Sequence, residues 1–130
     1  MKTIKSTKIK FPQFASYACI GDFIEWDKNG YTIRAVLHDD SVTRPTDFDC
    51  YSPVKIKQWQ NDAWAFCGVV LEVSLNGISL GEHCASLWGV DMNYNKRSNK
   101  YLSVVALELE AEALEYAKNV RSAMLAKLQQ

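Results

Sequence analysis

The sequence has no Cys-x-x-Cys pair, no His-Glu-x-x-His, no phosphate-cradling glycine loop and no nucleophile elbow. Those absences remove the commonest patterns for structural zinc, metal-assisted hydrolysis, nucleotide binding and acyl transfer. Only two histidines are present, His38 and His83. His83 adjoins Cys84, but neighbours along a strand point to opposite faces, so a Cys–His pair needs a partner from elsewhere. No catalytic residue, cofactor or metal site is therefore expected. No apolar run approaches the roughly 20 residues of a membrane span. The opening MKTIKSTKIKF has no apolar h-region, so the reading is a cytoplasmic protein of a bacterial host with no membrane partner. Fifteen basic and fifteen acidic residues cancel, which removes the bulk electrostatic case for nucleic acid.

What is present is a β-rich core pattern. From Ala63 to Val90 two alternating apolar runs flank Asn76-Gly77, the signature of a hairpin closed by a two-residue type I′ turn. The register places Leu75 opposite Ile78 and Val73 opposite Leu80, with Glu72, Ser74 and Ser79 on the wet face. Continued unchanged, it sets Glu82 on the apolar side beside Leu71, and a bulge near Gly81 removes that conflict. Ala85 and Leu87 then return to the face of Val69 and Cys67. Trp88 moves to the other face with Phe66, leaving an aromatic base for Trp59 to cover.

A second hairpin is expected between Tyr17 and His38, turning at Asp27-Lys28-Asn29-Gly30 and pairing Trp26 with Ile33 and Ile24 with Ala35. Glu25, Thr32 and Arg34 fall on its wetter face. Cys19, Cys67 and Cys84 lie in predicted strands as reduced, small core residues, with Cys50 outside them. A hidden reactive thiol would sit at Cys50 or Cys84. Lys2, Lys5, Lys8 and Lys10, interleaved with Ile4 and Ile9, suggest a protected edge strand or a basic arm.

Two polar connections carry the candidate binding residues. The first, residues 38 to 52, clusters His38, Asp39, Asp40, Asp47 and Asp49 around Arg44, without the spacing of a calcium loop. Its length exceeds that of an ordinary connection, which keeps a functional role in view. The second, residues 91 to 100, has a basic tip of Lys96, Arg97 and Lys100 between Tyr94 and Tyr101, able to hold a nucleic-acid backbone or an acidic protein. Between the hairpins, Ser52-Pro53 starts a short helix bearing Ile56 and Trp59 on one face.

Ser98 or Asn99 caps a long helix striped with Leu102, Val105, Ala106, Leu109, Ala113, Tyr116, Ala117, Val120 and Met124. About 28 helical residues would extend about 42 Å, longer than such a sheet is wide. Part should project, and the line Leu107, Ala111 and Leu114 could be covered by a partner or, in a homodimer, by a second copy. The fold class is thus α+β over residues 1 to 130 as a single domain. Its antiparallel sheet of two hairpins, order ββαββα, packs against a long C-terminal helix.

The string Asp47-Phe48-Asp49-Cys50-Tyr51, then Trp59, Asp62-x-Trp64-x-Phe66-x-Gly68-Val69, Leu87-Trp88-Gly89-Val90, Tyr101-Leu102 and Glu112-Ala113-Leu114 resembles a group of small uncharacterised proteins carried by bacteriophages and other mobile elements. The resemblance covers roughly residues 38 to 117, rests on aromatic and glycine positions, and implies a shared fold rather than a shared chemistry. It also implies a context: small phage accessory proteins bind and redirect or inhibit host proteins, including defence systems such as CRISPR complexes. The leading expectation is a non-catalytic protein binder of this kind. The alternative is a nucleic-acid binder using Lys2 to Lys10 with Lys96, Arg97 and Lys100.

Overall fold

Both Asn-Gly dipeptides form the tight turns that their chemistry favours. Asn29 and Gly30 have φ of 54° and 86°, and Asn76 and Gly77 have φ of 53° and 80°, the positive pair that a type I′ loop demands. In the computed structural model, which describes residues 12 to 130, these turns join β1 (Phe23–Lys28) to β2 (Tyr31–Asp39) and β3 (Ala65–Leu75) to β4 (Ile78–Met92). The four strands form one antiparallel sheet in the order β1-β2-β3-β4, so β4 is an edge among the described residues. A 3-10 turn (Pro45–Asp47) and helix α1 (Pro53–Gln60) lie between the hairpins, and α2 (Lys100–Glu108) and α3 (Glu110–Leu128) follow them. The class is α+β, with the C-terminal helices packed on the sheet. Of the expected arm or edge strand over residues 1 to 16, the lysines fall outside the described residues, and residues 12 to 16 lie in no strand.

One face of the sheet is buried along β2 and β3. Ile33, Ala35 and Leu37 of β2 with Cys67, Val69, Leu71 and Val73 of β3 pack beneath Leu102, Val105, Ala106, Ala113 and Ala117. Burying a Val or Leu side chain is worth about 1.5 to 3 kcal/mol, so this layer dominates the stability of the domain. The first hairpin has the expected pairs, Trp26 with Ile33 and Ile24 with Ala35. Its strand starts at Phe23 rather than Tyr17, so Cys19 lies off the sheet and exposed.

The second hairpin departs from its expected register in an informative way. Leu75 pairs with Ile78, but Val73 pairs with Gly81 rather than Leu80, because the ladder slips between Val73 and Ser74. Two further irregularities follow, so that Leu71 meets Ala85, Val69 meets Leu87 and Cys67 meets Val90. A bulge adds residues to one strand only and re-aims its side chains. Here the slips bury Leu80, Cys84 and Ala85. Leu87 stays exposed on the open edge despite its pairing with Val69.

The long helix is two helices. It breaks at Leu109, whose φ and ψ are −84° and −9°, and the next residue turns toward β1: Trp26 Nε1 donates to Glu110 Oε2 at 2.6 Å, and Lys28 Nζ lies 3.7 Å from Glu110 Oε1. Of the line Leu107, Ala111 and Leu114, Leu114 is 7% exposed and belongs to the core, while Leu107 and Ala111 are exposed. Beyond Val120 every residue of α3 is exposed, and the helix does project as its length requires. No helix among the described residues is long and apolar enough to cross a membrane.

Asn99 sits at the start of α2 but does not cap it. It is buried, and its Nδ2 donates to the carbonyls of Ala15 and Ser16 at 3.1 Å each and to Asn93 Oδ1 at 2.9 Å, while its Oδ1 accepts from Asn93 N at 2.8 Å. Asn93 in turn accepts from Ala18 N and donates to Ala18 O. Ser103 Oγ accepts from Phe14 N at 3.0 Å. This clasp ties residues 14 to 18 to the β4–α2 junction with the backbone groups of both satisfied. Truncating Asn99 to Ala leaves several of those groups unpaired. Chemical denaturation should show a loss of about 1 to 3 kcal/mol, the usual cost of orphaning buried polar groups, whereas Lys96→Ala should be neutral.

Candidate functional site

Among the described residues, the outer face of the sheet is covered at one end only. There Trp64 and Phe66 are buried by Tyr51, Phe48 and Tyr94: Tyr51 stacks on Trp64 at 5.3 Å between centroids, and Trp64 meets Tyr94 at 4.9 Å. Trp64 Nε1 donates to Lys55 O at 2.9 Å, which pins α1 to the cluster. Ser52 caps that helix through Lys55 N as expected. Trp59, expected to cover these rings, is only half-buried on α1. The cover comes instead from the connection preceding the helix and from Tyr94, because Tyr51 reaches over β3 to Asp91 Oδ2 at 3.4 Å. Burial, and then Asp91, push the Tyr51 phenol up to about 12.

Trp88 is not part of that cluster. Its indole lies flat on Gly68, where a Cβ would overlap the ring carbons, and it is 45% exposed. His38 meets it edge-on at 6.2 Å and His83 lies tilted at 6.4 Å. Trp88 Nε1 donates to Ser86 Oγ at 3.2 Å, and His83 Nε2 and Ser86 Oγ are 2.8 Å apart. The indole is therefore held on three sides while one face and edge stay in solvent. Beside it, Asp39, Asp40, Ser41, Val42 and Thr43 line an open recess of about 290 Å³, with Val42 83% exposed at its rim.

Asp40 builds that rim rather than decorating it. Its carboxylate accepts from Val42 N and Thr43 N at 3.1 Å, from Thr43 Oγ1 at 2.7 Å and from Gly89 N at 2.8 Å. Burial alone would raise its pKa, but the Thr43, Val42 and Gly89 donors outweigh burial and hold it below the ordinary 3.8. The other candidate acids divide. Asp47 accepts from Arg44 N at 3.0 Å and pairs with the Arg44 guanidinium at 3.7 Å, closing the 3-10 turn. Asp39 and Asp49 are exposed.

In the basic connection Tyr94 is drawn into the aromatic cluster, with Lys55 Nζ 4.1 Å above its ring and 3.0 Å from its carbonyl. Lys96, Arg97, Lys100 and Tyr101 remain exposed, and no ion pair among the described residues involves those cations. The acidic and basic connections thus share a root at Tyr51, Lys55 and Tyr94, while their charged tips are separate groups. Comparison with protein-family models, with curated proteins and with solved structures finds no match.

The two candidate thiols differ in setting, Cys50 being exposed and Cys84 buried. Cys84 is buried against Gly81 O at 3.5 Å, and burial raises its pKa. Burial pushes Cys67 up to about 12. His83 turns to Ser86, away from its sequence neighbour, as strand alternation requires. No group of three or more His, Cys, Asp or Glu among the described residues could hold a metal ion.

The residues that sequence reasoning missed are Val42, His38 and His83 as companions of Trp88. Gly68 was the available signal, since a glycine inside a strand often marks close approach of another group.

Two outcomes follow from this geometry. Gly68→Ala should lift Trp88 from the sheet and cost about 1 to 3 kcal/mol, as overpacking does. Fluorine NMR of fluorotryptophan-labelled protein should show the Trp88 resonance moving toward the solvent-exposed position, with the other three in place. Stability should also fall with alkali. Cys67 and Tyr51 have folded values near 12 against ordinary values of 9.0 and 10.0. Above about pH 9 the unfolded chain therefore binds fewer protons than the folded one, and unfolding becomes easier as pH rises. Urea midpoints measured between neutrality and alkali should be level first and then decline. Cys67→Ala should delay the decline toward pH 10.

Proposed function

We propose that this protein acts without catalysis, by binding another protein, in the manner of small phage accessory proteins that redirect or inhibit a host or defence protein. The observation that carries the binding reading is Trp88: a large aromatic ring, half in solvent, yet fixed by Gly68, His38 and Ser86. A tryptophan already locked in place loses little conformational freedom on association, and tryptophan leads among residues that dominate interface energy. Val42, exposed at the rim of the recess that Trp88 lines, extends the apolar surface. The acidic Asp39 at its border disfavours a phosphate backbone and favours a protein with a basic or polar rim. The phage setting rests on the resemblance noted above, through the Leu87-Trp88-Gly89-Val90 and Asp47-Phe48-Asp49-Cys50-Tyr51 strings.

One observation favours a second reading, nucleic-acid binding at Lys96, Arg97 and Lys100: these cations are exposed, without an ion pair among the described residues, near the exposed ring of Tyr101. Base stacking on such a ring is tolerant of sequence.

Affinity capture from a bacterial lysate, with and without nuclease and read by mass spectrometry, separates the two. The expected result is one stoichiometric protein that survives nuclease and is lost with Trp88→Ala, a truncation costing about 2 kcal/mol or more at an anchor position. Recovery that vanishes with nuclease, resists Trp88→Ala and falls with Lys96→Ala and Arg97→Ala would transfer the function to nucleic acid.

A further inference from the structure

Where β4 runs out and α2 begins, the chain closes around a recess of about 250 Å³. Tyr94, Tyr101 and Leu102 give it aromatic and aliphatic walls, and Asp91, Asn95 and Ser98 give it polar ones. It shares no lining residue with the recess beside Trp88. Asn99 also lines it, but that amide is committed to Ala15, Ser16 and Asn93.

The other polar groups are not saturated. Asp91 is half-buried, and among the described residues only the Tyr51 hydroxyl reaches its carboxylate, at Oδ2 over 3.4 Å. Asn95 Oδ1 accepts from Arg97 N at 3.0 Å, which leaves Nδ2 as a donor. Ser98 Oγ accepts from Lys100 N at 3.0 Å and keeps its hydroxyl proton to donate. The recess therefore offers an acceptor carboxylate together with two donors. Guanine presents the complement, two adjacent N–H donors next to a carbonyl oxygen on its pairing edge. Adenine and cytosine set a ring-nitrogen acceptor beside their amino group, and a carboxylate repels it.

Charge falls on the same rim. Lys96 and Arg97 lie between Asn95 and Ser98 in the chain, and Lys100 precedes Tyr101. These cations have no ion pair among the described residues. They stand at the N-terminal end of α2, whose first turn contains no acid. Cations are disfavoured at that end of a helix, so an anion bound there relieves a repulsion as well as gaining a contact.

We propose that this recess binds a nucleoside phosphate with guanine as its base. The base lies on Tyr101, because Lys55 Nζ already occupies a face of Tyr94 at 4.1 Å from the ring centre. Asp91 accepts from the two adjacent N–H groups of the base, and Asn95 Nδ2 and the Ser98 hydroxyl donate to its carbonyl oxygen. Lys96 and Arg97 meet the phosphate. The inference rests on the second reading above only in using the same cations, and is independent of Trp88. Free nucleotide and guanine in single-stranded nucleic acid present these same groups.

Titration of the isotopically labelled full chain with guanosine monophosphate to about 1 mM, followed by proton–nitrogen correlation NMR, tests the proposal in the affinity range of a single-nucleotide contact. Saturable shifts are expected in the amides of Asp91, Asn95, Ser98 and Tyr101. Adenosine and cytidine monophosphates should bind at least about tenfold more weakly, as the loss of a bidentate pair requires. Asp91→Asn should abolish that preference while leaving the thermal midpoint in place, since it keeps an oxygen for the Tyr51 hydroxyl. Replacing Lys96 and Arg97 together by Ala should weaken all three nucleotides alike. A guanine-containing single-stranded oligonucleotide that binds about tenfold or more tighter than the mononucleotide identifies nucleic acid as the source, and equal binding identifies the free nucleotide; either result supports the recess. No shift with guanosine monophosphate, or equal shifts with it, adenosine monophosphate and inorganic phosphate, would overturn the proposal. Oligonucleotide binding that needs Lys96 and Arg97 but ignores both the base and Asp91→Asn would also overturn it, while leaving the second reading of those cations standing.

Discussion

The contact between Trp88 and Gly68 is the constraint from which much of the outer surface follows. An indole can lie on a sheet only where the strand beneath presents no side chain, and Gly68 is the position at which β3 does so. For Trp88 to arrive there, β4 must slip against β3 between Cys67 and Val69. That slip leaves Gly89 N free to donate to Asp40, and Asp40 in turn shapes the turn that presents Val42. A single close approach thereby sets a strand register, a loop conformation and an exposed aromatic surface together.

The other face of the sheet obeys a simpler rule. Its aliphatic side chains alternate inward along β2 and β3, and α2 and α3 cover them completely. Among the described residues, the outer face has no second helical layer of that size. Its covered end uses aromatic rings from a connection and a loop, and its open end carries Glu25, Thr32, Arg34 and Glu72, with Arg34 paired to Glu25 at 2.9 Å. A sheet buried on one face and half-covered on the other holds Trp88 on rigid strand rather than on loop. Rigid placement of this kind holds down the entropy that association would otherwise cost.

Much of this was legible in the sequence, and the boundary is physical. Asn29-Gly30 and Asn76-Gly77 announce their turns because few other dipeptides accept two positive φ angles. The Val69, Leu71 and Val73 alternation and the Leu102 to Ala117 stripe announce the core for the same reason of period. The register of β4 was legible only to its first bulge, since three slips accumulate and each depends on tertiary contacts, Gly81 against Cys84 and Tyr116 among them. Asn93 and Asn99 read as loop and cap, because their partners near Ala15 and Ala18 lie some 75 to 84 residues away in the chain. The acidic connection read as a solvated loop that its length kept as a binding candidate. Asp40 and Asp47 prove to spend that charge on their own backbone, while Asp39 and Asp49 stay exposed.

The most direct measurement of the central claim, that the fixed Trp88 surface is where a protein partner is held, is hydrogen–deuterium exchange on the purified complex against the free chain. The account predicts slowed exchange in residues 38 to 43 and 82 to 90, with residues 94 to 101 little changed. Slowed exchange confined to residues 94 to 101, with β4 and the Val42 turn exchanging as in the free chain, would contradict it.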